Sequence, residues 1–141
     1  CHNVVKLEEH KVDGKKRNMY VHRKGATRAF PEQPVLLAGS MGTASYLLKG
    51  TETAMDKTFG SSAHGAGRAM SRHAAIDKFW GGDVQKKLAE KGIVSKATHP
   101  KSLAEEAPGA YKDVEAVIDT VHNAEISKKV VRLEPMGVMK G

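Results

Sequence analysis

The residue types best suited to chemistry crowd into one stretch, Phe59-Gly60-Ser61-Ser62-Ala63-His64-Gly65-Ala66-Gly67-Arg68. Gly65 and Gly67 remove Cβ atoms on either side of Ala66, so a bulky anion could approach the main chain closely. The following run, Arg68 to Trp80, reads as a helix from about 66 to 80. Its N-terminus would offer unpaired N–H groups and positive dipole charge to a phosphate. Arg68 and Arg72, four apart, would project from one face of that helix. A tight turn ahead of a surface helix would use the same residues, and spacing alone does not separate the two readings. A second small-residue loop, residues 38–45, carries the hydroxyls of Ser40, Thr43 and Ser45 and could bind phosphate as a backbone nest or be a plain turn. His22-Arg23-Lys24 with Arg28 is the densest positive patch, and beside two anion-suited loops it points to a phosphodiester backbone.

Other chemistries find less support. Histidine stands at 2, 10, 22, 64, 73, 99 and 122, yet no pair has a metal-ligand spacing with a third ligand nearby, and Cys1 makes no zinc knuckle. His2 could be one ligand of a site completed elsewhere. No Walker A pattern, Gly-x-Gly-x-x-Gly fingerprint or Gly-x-Ser-x-Gly elbow is present. The net charge of +7 over 141 residues favours a polyanionic partner, RNA, DNA or a nucleotide. Aromatic content of 5% argues against base stacking across an open sheet. At 40% hydrophobic and 28% charged the chain suits a soluble globular domain. No segment nears the roughly 20 apolar residues of a membrane helix. A single cysteine fits a reducing, cytoplasmic compartment. The chain opens at Cys1 without an initiator methionine and without a signal peptide, so a portion of something longer is expected.

These groups need a scaffold. Asp13-Gly14 between two strand-like runs predicts a hairpin, with strands near 3–12 and 16–23. Pro31 and Pro34 block regular structure around Glu32-Gln33. Val35-Leu36-Leu37 and Tyr46 to Gly50 read as strands on either side of the 38–45 loop, and Thr51 to Lys57 as a short helix or turn. Gly81-Gly82 reads as a break, with Asp83 as N-cap of a helix from Val84 to Lys91 closed by Gly92. Ile93 to Ala97 is an expected strand and Lys101 to Ala110 a short helical piece ended by Pro108-Gly109. Val114 to Ala124 is a helix whose positions 114, 117, 118 and 121 face a core. Strands over Lys128–Pro135 and Met136–Gly141 complete an α+β fold, mixed sheets with flanking helices.

Taken together, these motifs resemble the RtcB family of RNA ligases. The matching blocks are His2-Asn3, His22 to Phe30, Gly39-Ser40-Met41-Gly42-Thr43-Ala44-Ser45-Tyr46, and Phe59-Gly60 through His64-Gly65-Ala66-Gly67-Arg68. Glu105-Glu106-Ala107-Pro108 with Tyr111-Lys112 and the terminal Val138-Met139-Lys140-Gly141 follow in the same order. The resemblance implies a GTP- and manganese-dependent ligase of tRNA splicing and RNA repair. It gives His64 as the nucleophile that takes GMP covalently, a role a neutral imidazole can fill near pH 7. It gives His2 as a manganese ligand, Asn3 as a guanylate contact, and Ala38, Gly39, Ser40, Met41 and Ser45 as the nucleotide loop. His64 to Gly67, that is Gly65, Ala66 and Gly67 after the histidine, would surround the phosphate. Tyr111 would stack on guanine, and Lys140 would contact the nucleotide. Charge and position add Arg23, Lys24, Arg28, Arg68 and Arg72 as holders of RNA or phosphate.

Two departures from the family pattern follow. The family's N-terminal region, which carries the other metal ligands, does not precede His2, so residues 1–141 are expected to be a C-terminal portion needing that partner. The stretch near 31–34 is shorter than the family's loop. The implied partners are RNA in the form of tRNA halves, the N-terminal portion and an activator such as archease, with no membrane. The alternative is a non-catalytic basic module that binds RNA or nucleotide on the same fold.

Overall fold

The computed structural model describes residues 3–141. Its first elements in chain order are β1 (Asn3–Val12), β2 (Lys15–Lys24), β3 (Ala26–Arg28), β4 (Pro34–Leu37), β5 (Ser45–Gly50) and α1 (Glu52–Thr58). Next come β6 (Ser61–Ala63), α2 (Arg72–Lys78), α3 (Gly81–Glu90), β7 (Val94–Ala97) and α4 (Pro100–Glu105). A 3-10 turn over Pro108–Ala110, α5 (Val114–Asn123), β8 (Ser127–Leu133) and β9 (Gly137–Lys140) follow. The class is α+β with mixed pairing, since β1–β2, β3–β6 and β4–β5 are antiparallel and β7–β9 is parallel. Two compact units interleave along the sequence. The first takes the chain up to Leu37, Tyr46–Gly65 and Glu115–Arg132, and the second takes Ala38–Ser45, Ala66–Val114 and Leu133–Gly141.

The first unit opens on the expected hairpin. Asp13 and Gly14 adopt left-handed φ of 50° and 76°, and Val12 pairs with Lys15 across them. Two consecutive positive φ values match the right-handed strand twist, which is why Asp-Gly suits this turn. The alternation of its faces is inverted from the usual order. Glu8, His10 and Arg23 are buried, while Val5, Leu7 and Tyr20 stand outward, Tyr20 at 78% exposure. A three-stranded sheet in the order β4-β5-β8 supplies Val35, Leu37 and Leu48 to the core. Ile118 on α5 is fully buried, as its stripe required, and the Tyr46 hydroxyl donates to Glu115.

The strand β6 is absent from the sequence reading. It exists because Ala26, Thr27 and Arg28 pair with Ala63, Ser62 and Ser61, a partner more than thirty residues upstream. The Ser127 hydroxyl also donates to the buried Ser62 hydroxyl at 2.8 Å. The chain reaches β6 through Phe59 and Gly60, both at positive φ (51° and 59°). At Gly60 a Cβ would lie 2.5 Å from the Phe30 ring, so only glycine fits this turn without displacing Phe30.

The second unit packs around Met41, Val84, Leu88, Ile93, Leu103 and Ala107. Its helices differ from expectation at two ends. The helix expected from about 66 begins at Arg72, with the Ser71 hydroxyl capping Ala74 N–H at 3.1 Å. Residues 67–69 are instead bonded to a distant segment: Ala69 N–H donates to Ala110 O and Lys112 N–H to Gly67 O. The glycine loop is therefore not the N-terminus of that helix, and Arg68 shares no helix face with Arg72. The Gly81-Gly82 pair does not break the chain but forms the first turn of α3, after Trp80 as an N-cap without a side-chain bond. Asp83 sits inside that turn. A Cβ on Gly81 would fall 2.1 Å from Pro100 O, so the glycine is there for close approach to α4.

Candidate functional site

In the second unit the 38–45 loop is bonded mainly to itself. Ser40 N–H donates to Thr43 Oγ1 at 2.8 Å, Gly39 N–H to Ser45 Oγ at 3.2 Å and Thr43 N–H to Ser40 O at 3.2 Å. The amides of Gly39 and Ser40 therefore have hydroxyl partners within the loop. Gly39 serves the loop's own packing, since a Cβ there would meet Ala44 O at 2.0 Å. Met41 points into the core at 4% exposure, so a ligand can meet its backbone rather than its thioether. Ala66 N–H donates to Ala38 O at 3.3 Å, joining the two small-residue loops. Gly67 takes φ of 75° with nothing within 4 Å of where a Cβ would be, an open, strained bend that favours glycine.

What this loop does provide is a wall. Gly39, Ser40, Met41, Ser45, Glu134 and Lys140 line one cavity of about 340 Å³. Five of those six are residues that the family resemblance marks for nucleotide, brought together from the 38–45 loop and the last strand. A larger groove of the same unit, about 640 Å³ and walled by Phe79, Trp80, Val84, Leu88 and Pro108, holds none of them. The smaller cavity is the better candidate because it gathers the polar groups.

Beside Lys140 lies a tight polar cluster. Glu106 accepts from the Tyr111 hydroxyl at 2.5 Å and from Arg68 Nη1 at 3.3 Å, and the Lys140 ammonium stands 3.5 Å from it. Arg68 also donates to the Tyr111 hydroxyl at 3.1 Å and to Glu105 O at 2.6 Å. Its guanidinium lies over the Tyr111 ring, 4.9 Å from the centroid. Burial works to raise the Glu106 carboxyl, but the Tyr111 hydrogen bond and the charges of Lys140 and Arg68 outweigh it and hold it below the ordinary 4.5. Burial, then the bond to Glu106, raises the Tyr111 phenol. Glu106 was visible in sequence as part of the Glu105-Glu106-Ala107-Pro108 block but carried no role there, since its partners lie 5, 34 and 38 positions away along the chain.

In the first unit His64 follows β6 directly and is half-buried. Gly25, at φ 70°, approaches its imidazole: a Cβ there would be 4.0 Å from His64 Nε2. The basic patch is dispersed. Lys24 is exposed at the end of β2, and Arg28 donates to Gln33 Oε1 at 3.0 Å while stacking 5.0 Å over Phe30. Arg72 is exposed at the start of α2, in the second unit. Arg23, expected to hold RNA or phosphate, is 2% exposed with its donors committed inside. It grips Glu8 with two bonds of 2.9 and 2.8 Å, Ser61 Oγ at 2.9 Å and Phe59 O at 2.8 Å. Asn3 opens β1, with Oδ1 3.3 Å from His22 Nε2. His2, the expected manganese ligand, lies outside the described residues. Among the described residues no group of three or more His, Cys, Asp or Glu could hold a metal ion, so they do not fit a manganese site by themselves.

No helix among the described residues is long and apolar enough to cross a membrane. The sequence profile of tRNA-splicing ligase RtcB matches residues 1–141. Curated relatives with that name align over the whole chain. The Archaeoglobus fulgidus protein is 58% identical, with 32% of its own length covered. Those of Thermococcus kodakarensis and Methanocaldococcus jannaschii are each 53% identical, with 32% and 16% covered. The chain therefore spans about a third or less of the relatives' length. The alignments run over 154 positions against 141 residues here. A profile match from end to end, with identity above half, decides the family: this chain belongs to the tRNA-splicing ligase RtcB family.

Proposed function

We propose that the chain is the C-terminal portion of an RNA ligase of tRNA splicing and repair. It would join a 2′,3′-cyclic phosphate or 3′-phosphate end to a 5′-hydroxyl end, with GTP as co-substrate. The observation that carries this reading is the family match over every residue, to relatives whose name is tRNA-splicing ligase. An imidazole nitrogen of His64 bonds to the α-phosphate of GTP as pyrophosphate leaves. A cyclic end is first opened by water to the 3′-phosphate; GMP then passes from His64 to that phosphate, and the 5′-hydroxyl displaces GMP as the new phosphodiester forms.

Lys140, Ser45 and the backbone of Ala38, Gly39, Ser40 and Met41 hold the nucleotide, and Tyr111 supplies the stacking face. Gly65, Ala66 and Gly67 border the phosphate, and Asn3 contacts the guanylate. Lys24, Arg28 and Arg72 take RNA phosphates. Manganese, with His2 among its ligands, would neutralise phosphate charge when bound, and its remaining ligands come from the N-terminal portion of the ligase.

The test supplies the chain with that N-terminal portion, manganese and GTP labelled in the α-phosphate. Label is expected on His64 and is lost in H64A. If no label is transferred with the N-terminal portion present, the ligase reading is wrong and a non-catalytic nucleotide- or RNA-binding module remains.

A further inference from the structure

Glu106 stands behind the cavity wall, and three groups of the second unit converge on its carboxylate. The Tyr111 hydroxyl takes one oxygen at 2.5 Å, the Arg68 guanidinium the other at 3.3 Å, and the Lys140 ammonium approaches within 3.5 Å. Both the tyrosine and the lysine belong to the proposed nucleotide site, and Lys140 lines its cavity. Each is otherwise a mobile group, a ring with two torsions and a four-carbon chain, whose ordering would have to accompany binding. We propose that Glu106 is the positioning residue of the base pocket, fixing the Tyr111 ring and the Lys140 ammonium before the nucleotide arrives.

The inference rests on the nucleotide reading above and adds a residue and a geometry to it. Arg68 lies over one face of Tyr111, so a purine stacks on the opposite face and the ring is sandwiched between guanidinium and base. The tyrosine hydroxyl already has its partners, so it contributes orientation and not a bond to the ligand. At 17% side-chain exposure the carboxylate is sheltered enough for these bonds to hold the ring against thermal motion.

Positioning predicts a particular split. In the ligase reassembled from this chain and its N-terminal portion, single-turnover guanylylation of His64 is followed against GTP concentration. E106A should raise half-saturation by about tenfold and leave the maximal rate within about twofold, the pattern for a lost ground-state contact. E106Q keeps an acceptor for the Tyr111 hydroxyl and drops the charge that draws Lys140 and Arg68, so its half-saturation should rise only about threefold. A merely structural residue would instead lower the fraction of active enzyme at unchanged half-saturation. Wild-type half-saturation in E106A overturns the proposal, as does a loss confined to the maximal rate. Should E106A fail to fold, wild-type half-saturation in E106Q does the same. Y111A is the separate arm: if it leaves half-saturation unchanged, the base-site reading itself falls, whatever Glu106 does.

Discussion

Arg23 shows how position overrides residue type. An arginine in a His-Arg-Lys run reads as a surface cation, but the register of the hairpin places it opposite Val4, on the face that carries Glu8 and His10. There it forms a bidentate pair with Glu8 and closes onto the carbonyls of Phe59 and Gly60, just ahead of β6 and His64. His10 completes the cluster, 3.2 Å from Glu8 and edge-on to the Phe30 and Phe59 rings. Removing one partner of a buried pair leaves the other charge unsolvated, so R23A should lose about 3–5 kcal/mol by urea unfolding. K24A, one residue away and exposed, should change stability by less than about 0.5 kcal/mol. An equal response of the two variants would show that the Glu8–Arg23 pair is not holding this unit together.

The same pair sets an acid limit. Burial pushes the Glu8 carboxyl up, but hydrogen bonds from Arg23 and His10 and their charges pull it below its ordinary 4.5. A carboxylate depressed in the folded state stabilises above its unfolded value, and that contribution disappears as pH falls through the folded one. The urea midpoint should therefore hold from pH 7 to about 5 and decline below about 4.5. In E8Q the acid decline should be shallower, because the neutral amide cannot titrate. An E8Q profile parallel to wild type below pH 4.5 would remove Glu8 as its source.

At the level of elements, the two glycines at the head of α3 separate two kinds of crowding. A methyl at Gly81 meets the Pro100 carbonyl of α4 at 2.1 Å, and backbone cannot swing aside. A methyl at Gly82 meets the Trp80 indole at 2.7 Å, and that ring is 67% exposed and free to turn. G81A should cost about 1–3 kcal/mol, while G82A should be neutral or gain up to about 1 kcal/mol from helix propensity. Equal melting temperatures for the two variants would contradict this packing of α3 on α4. Gly81 also marks the limit of what sequence shows. The Asp13-Gly14 hairpin, the strands flanking the 38–45 loop and the α5 stripe were legible because each depends on neighbours a few residues away. β6, the start of α2 at Arg72 and the helical Gly81-Gly82 were not, because β3, Ala110 and Pro100 decide them. The candidate site divides the same way. Tyr111 and Lys140 were marked through their motifs, whereas the proposed role of Glu106 emerges only once Arg68, Tyr111 and Lys140 converge in space.

For the molecule as a whole, the net charge of +7 states that polyanions are attracted, but not which cations meet them. Burial and pairing narrow the choice. Arg23 is enclosed with Glu8, Arg68 is engaged with Glu106 and Tyr111, and Lys49, Lys128 and Lys129 are paired with acidic neighbours. Lys24 and Arg72 are exposed and remain the best placed of the sequence-marked cations to meet RNA phosphates. Each phosphate neutralised on a single strand contributes about −0.7 to the slope of log affinity against log salt. In the ligase joined to its N-terminal portion, the double variant K24A/R72A should reduce that slope by about 1.4 and weaken all RNA sequences alike. R23A, compared at a denaturant-free temperature where it is still folded, should leave the slope unchanged. The reverse result, a slope that falls with Arg23 and not with the exposed pair, would mean that the hairpin opens to expose its buried face when RNA binds.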